Sequence, residues 1–182
     1  MTPALWGVCL ALTTVAFAGL ACGGEEDDGM TRWSGAGMSF EYPSSWEERD
    51  PADFDLEGLE FIADGPENSA GGRPRISAIR EDATRPTIRL YGKEIAGTRP
   101  FELNEGRAAG DREIEIPGAD GGWRVETRYQ AEREDGSTDP ARAIELLAKK
   151  DDKEYLLAIG ATEESLEEFD AEAILRSFRI EG

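Results

Sequence analysis

Met38, Phe40 and Tyr42 alternate with Ser39 and Glu41 ahead of Pro43, a period of two that predicts a strand with one buried face. Ser44-Ser45 then turns the chain, and Trp46 is expected to fold back on the core. Residues 50–58 read as acidic loop and residues 59–63 as a short apolar strand. A loop rich in glycine and proline follows over residues 65–74, then a strand over 75–80 carrying Ile76, Ala78 and Ile79. From Pro86 to Gly97 the period changes. Ile88, Tyr91 and Ile95 fall at i, i+3 and i+7, which predicts a short helix with Arg89, Lys93 and Glu94 in water, against the helix-weakening Gly92.

The second half alternates more regularly. Ile114 and Ile116 interleave with Glu113 and Glu115, and residues 117–122 form a turn. Trp123, Val125, Thr127, Tyr129 and Ala131 then line one face of a strand; Arg124, Glu126, Arg128, Gln130 and Glu132 are expected to make its other face a wet one. Beyond the turn at 135–140, the apolar residues of 141–149 and 154–160 are consecutive, so both strands should be covered on both faces. These four strands read as an antiparallel meander. A single closing helix starts near Thr162 or Ser165, where Ser165-Leu166-Glu167-Glu168 fits a capping box. Leu166, Phe169, Ala173, Ile174 and Phe178 form its buried stripe. The predicted class is α+β, an antiparallel β-sheet flanked by helices.

Ahead of this domain the pattern is different. Residues 4–21 are uncharged and run into Cys22, after which the chain turns to glycine and acid as Gly23-Gly24-Glu25-Glu26-Asp27-Asp28. Gly19-Leu20-Ala21-Cys22 resembles the lipobox of bacterial lipoproteins, in which the thiol is joined to diacylglycerol and the leader is cut on the amino side of the cysteine. The resemblance implies a removed leader over residues 1–21, a lipidated Cys22 and a flexible acidic tether over 22–37, with the domain occupying 38–182. The other reading is an uncleaved helical anchor. Either one places the body outside the cytoplasm, attached to the cell membrane. Cys9 lies inside the apolar run, so a body lipidated at Cys22 holds no disulfide.

Length and charge narrow the functions. A chain of 182 residues has room for one ordinary domain and a leader. All of the formal net charge of −19 falls after Cys22, and no basic stripe offsets it, so nucleic acid is not an expected partner. There is no histidine, which removes the commonest general base and metal ligand together. No metal and no cofactor are expected. The acidic run 25–28 lacks the looped spacing of a calcium site and reads as solvated tether.

Gly37-Met38-Ser39-Phe40-Glu41-Tyr42-Pro43-Ser44-Ser45-Trp46 resembles the opening of PsbP-like domains, and Ile174-Leu175-Arg176-Ser177-Phe178-Arg179-Ile180 is similar to their close. The resemblance spans residues 37–180. It implies an α/β/α sandwich around a central antiparallel sheet, and a role in docking on another protein, here one of the envelope, rather than in catalysis. Three groups of residues are candidates for function. Tyr42, Trp46, Trp123 and Tyr129 would line an aromatic pocket if the protein carries a small ligand. Arg124 and Arg128 would present a docking face. A hydrolase reading needs two carboxylates in a cleft, one with a raised pKa; it is the weakest of the three.

Overall fold

The computed structural model describes residues 29–68, 72–133 and 135–181. Cys22, the leader and the run 25–28 lie outside the described residues. The chain forms ten strands among those residues: β1 Met30–Gly35, β2 Met38–Pro43, β3 Glu47–Glu48, β4 Leu59–Asp64, β5 Arg75–Asp82, β6 Arg107–Ile114, β7 Gly121–Glu132, β8 Thr138–Lys150, β9 Lys153–Thr162 and β10 Arg179–Ile180. The helices are α1 Ile88–Glu102, α2 Glu163–Glu168 and α3 Ala171–Ser177, with a 3-10 turn at Pro51–Asp53.

A seven-stranded sheet in the order β3-β4-β5-β9-β8-β7-β6 divides the molecule, and every neighbouring pair is antiparallel. Its last four strands are the predicted meander, although β6 starts earlier, at Arg107, and ends at Ile114, so that Ile116 lies beyond the strand. On one face, α1 covers Trp123, Val125, Leu147 and Leu156. On the other, a small sheet in the order β1-β2-β10 and helix α3 close the larger core, with Met38, Phe40, Ile174 and Phe178 packed against Ile144, Leu146, Leu157 and Ile159. Consecutive apolar residues in β8 and β9 therefore serve two cores, as their lack of alternation requires. The class is α+β.

Four expectations change. First, the chain over residues 30–35 is not tether: β1 pairs with β2 through a two-residue turn in which Ala36 and Gly37 both have positive φ. Trp33 lies 5.3 Å from Phe40 and 5.2 Å from Phe61, ring centre to ring centre, so Met30 and Trp33 pack against the core as half-buried residues that a spacer would not need. Second, the predicted helix runs on to Glu102, capped by Thr87, whose side chain accepts from the Leu90 amide. Gly92 is there because Trp123 is: a Cβ on residue 92 would sit 2.1 Å from the indole. Third, the closing helix is two helices. Phe169 leaves helical geometry, Asp170 caps α3 by accepting from the Ala173 amide, and the chain ends as β10 on β2. Fourth, the face of β7 opposite Trp123 is not uniformly wet, since Arg124 is only 8% exposed.

Candidate functional site

The four candidate aromatics do not converge. Tyr42 on β2 is buried beneath the small sheet, and its hydroxyl donates to Glu48. Burial, with that carboxylate beside it, pushes the phenol well above its ordinary range. Trp46 packs edge-on against Phe169, 5.0 Å between ring centres. Trp123 lies beneath α1 on the opposite side of the seven-stranded sheet, with Lys93 5.6 Å above its ring and its indole N–H without a partner. Tyr129 shares that face of β7 but sits toward the other end of the strand. It lines an open cleft of about 490 Å³ with Arg107, Arg128 and Glu163. No single aromatic pocket results.

Arg124 and Arg128 also part company. Arg128 is exposed and lines the Tyr129 cleft. Arg124 is held by Glu172 of α3 through two hydrogen bonds of 2.9 and 2.6 Å, and its Nε donates to Glu126 at 2.8 Å. The Arg124 pairing holds the Glu172 carboxyl below the usual glutamate range. This residue therefore ties α3 to the sheet rather than offering itself to a partner.

Helix α1 is fixed to the sheet by charged groups near both ends. Arg85, just ahead of it, donates to Glu154 of β9 at 3.1 Å and to Glu94 at 3.0 and 2.9 Å, and lies 4.4 Å over the Tyr91 ring. Burial pushes the Tyr91 hydroxyl up to about 12. In the last turn, Arg99 donates twice to Glu145 of β8, at 2.9 and 2.6 Å, and also to Glu102. Two buried sheet carboxylates thus clamp the helix near both ends.

With the inner side of α1 occupied, its outer side is displayed. Leu90, Gly97 and Phe101 fall within about 40° of one another around the helix axis, taking 3.6 residues per turn. Leu90 is 54% exposed and Phe101 is 91% exposed; a Cβ on Gly97 would meet nothing. Isolated exposed apolar residues need no explanation, but an aromatic and a leucine aligned on one rigid helix face make a platform. Acids and bases balance over residues 83–128, so the charge of −19 is carried by the chain on either side. The platform thus lies on a stretch of the chain whose formal charges cancel. Sequence periodicity alone does not reveal it, because a helix ending at Gly97 leaves Phe101 in a loop.

A second feature lies across the sheet. Between α3 and the β6–β7 edge is a cleft of about 490 Å³, floored by Ile116, Leu146, Leu175 and Phe178 and rimmed by Arg112 and Arg176. Carboxylates are less promising. Glu145 is a glutamate whose carboxyl burial pushes up, and it lines neither the Tyr129 cleft nor the one beside α3; Asp82 does line a cleft, and Lys153 pulls it down. Among the described residues no group of three or more Cys, Asp or Glu side chains is placed to hold a metal ion, and no helix is long and apolar enough to cross a membrane.

No protein-family model and no curated protein sequence matches the chain. Solved structures do. The cyanobacterial PsbP (CyanoP) of Synechocystis sp. PCC 6803 is similar with a TM-score of 0.61 at 13% identity, over 88% of this chain and 97% of that one. LpqN of Mycobacterium tuberculosis, a protein involved in cell envelope biogenesis, is similar with a TM-score of 0.55 at 12% identity, over 86% of this chain and 88% of that one. At such identities the likeness shows the fold, and the fold is PsbP-like.

Proposed function

We propose that this protein is a non-catalytic docking module, held on the outer side of the cell membrane by lipid on Cys22, that binds an envelope protein through the outer face of α1. The observation that carries the reading is Phe101, almost wholly in water on a helix clamped to the sheet by Arg85–Glu154 and Arg99–Glu145. Large apolar anchors presented on rigid ground are what protein interfaces use at their centres. The likeness to LpqN supports an envelope setting.

A photoreactive amino acid at position 101 tests the surface in cells. A discrete crosslinked product is expected that disappears when Leu90 is replaced by Asp and is absent when the probe stands at Glu41, an exposed residue on β2. Cys22→Ala in the same cells should release the protein from the membrane fraction and weaken the product. Equal products at positions 101 and 41 would count against the α1 face. Retention of the Cys22→Ala protein in the membrane would count against the lipid anchor.

A further inference from the structure

We infer that the cleft between α3 and the β6–β7 edge binds a single-chain amphiphile with an anionic head group. Its floor is wholly hydrocarbon: Ile116, Leu146, Leu175 and Phe178 are all core residues whose remaining exposed edges open into it, with Ile114 half-buried beside them. No hydroxyl, amide or other polar side chain stands among these five, so the floor fits an alkyl chain rather than a sugar or a polar peptide.

The rim supplies the charge. Arg112 of β6 stands directly opposite Arg124 of β7 in the strand register, a like-charge pairing that costs stability unless something negative lies nearby. Arg124 has its answer in Glu172 and Glu126. Arg112 is exposed and among the described residues makes no ion pair or side-chain hydrogen bond, although the Glu172 carboxylate held by Arg124 also feels its charge. Arg176 at the other side is held only loosely, 3.5 Å from an exposed Asp170. The lining sets three arginines, Arg112, Arg124 and Arg176, against two carboxylates, Glu115 and Glu172. An exposed arginine that donates to no carboxylate, beside an apolar slot, is an anion site with a place for a tail. A carboxylate or a phosphate head would satisfy it equally, since a guanidinium pairs with both through two N–H donors.

The site is independent of the α1 platform, which lies across the sheet. Titrating the full-length protein with sodium decanoate, decyl phosphate and decanol, and following backbone amide signals, separates the possibilities. Decanoate and decyl phosphate should give saturable shifts centred on Ile114, Ile116 and Leu175. Arg112→Ala should weaken both by about tenfold, the scale of one charge-assisted hydrogen bond, and leave decanol unchanged. Ile114→Trp, which fills the slot from a half-buried position, should abolish binding of all three while the rest of the spectrum is retained. Equal affinity for decanol and decanoate, indifference to Arg112→Ala, or shifts centred on Leu90 and Phe101 would overturn the assignment.

Discussion

Glu145 shows how single residues are set by what surrounds them. One oxygen of its carboxylate receives two hydrogen bonds from Arg99, and the other is buried without a partner. Burial outweighs the arginine and raises the folded pKa. The folded protein therefore keeps this proton to higher pH than the unfolded chain does. The residue's contribution to stability falls as pH rises from the ordinary glutamate range through the raised value. Replacing Arg99 by Met leaves a buried carboxylate without a counter-charge. A fully buried pair broken in this way costs about 3–5 kcal/mol. Because Arg99 is 27% exposed, about 2–3 kcal/mol is expected near neutral pH from urea unfolding. The loss should shrink as pH is lowered, since a protonated Glu145 needs no arginine. A loss independent of pH would mean that Arg99 acts through packing alone.

At the scale of elements, β1 is the instructive case. Glycines and acids around it suggest solvent, and yet two apolar residues, Met30 and Trp33, are enough to seat a strand once β2 offers its edge. The pairing is cheap to form because the two-residue turn at Ala36-Gly37 matches the twist of the strands it joins. Trp33 then packs against both Phe40 and Phe61. Trp33→Ala should lower stability by about 2–3 kcal/mol, toward the lower end for a large aromatic because the indole is only half-buried. Thermal unfolding of the variant checks this, and an unchanged midpoint would return residues 30–35 to the tether. Further along the chain, α2 and α3 illustrate the opposite effect. A continuous helical pattern is broken at Phe169 because that ring packs on Trp46 while Asp170 opens a new helix.

For the molecule as a whole, charge is the dominant quantity. The net −19 repels itself in the folded state more than in the expanded chain. Much of the surface is also laced with ion pairs such as Arg32–Glu181, Arg73–Glu67 and Arg80–Glu60, and exposed pairs of this kind contribute little each. Screening should therefore help more than it harms. Between about 10 mM and about 300 mM NaCl, the Debye length falls from roughly 30 Å to well under 10 Å, and the melting temperature should rise by about 2–4 °C. A fall over the same range would show that the surface pairs outweigh the self-repulsion.

The amino-acid sequence by itself determined the class, the meander and the order of the two faces in its central strands, because periodicity and burial are local expressions of the same pleat. It placed Phe40, Trp46, Ile174 and Phe178 in the core, and it carries the Gly19-Leu20-Ala21-Cys22 pattern on which the proposed anchoring rests. Only the tertiary structure decided which aromatics meet. Tyr42 and Trp123 look alike along the chain and lie on opposite sides of the sheet, because that depends on which layer each strand packs beneath. Only it turned Arg124 from a wet-face residue into the tie that holds α3, through Glu172, a carboxylate distant in sequence. Gly92 likewise reads as a flaw in a helix until Trp123 stands against it. Leu90, Phe101 and Arg112 became candidates for function for the complementary reason: their exposure on α1 and beside the α3 cleft is defined only once the whole chain has packed.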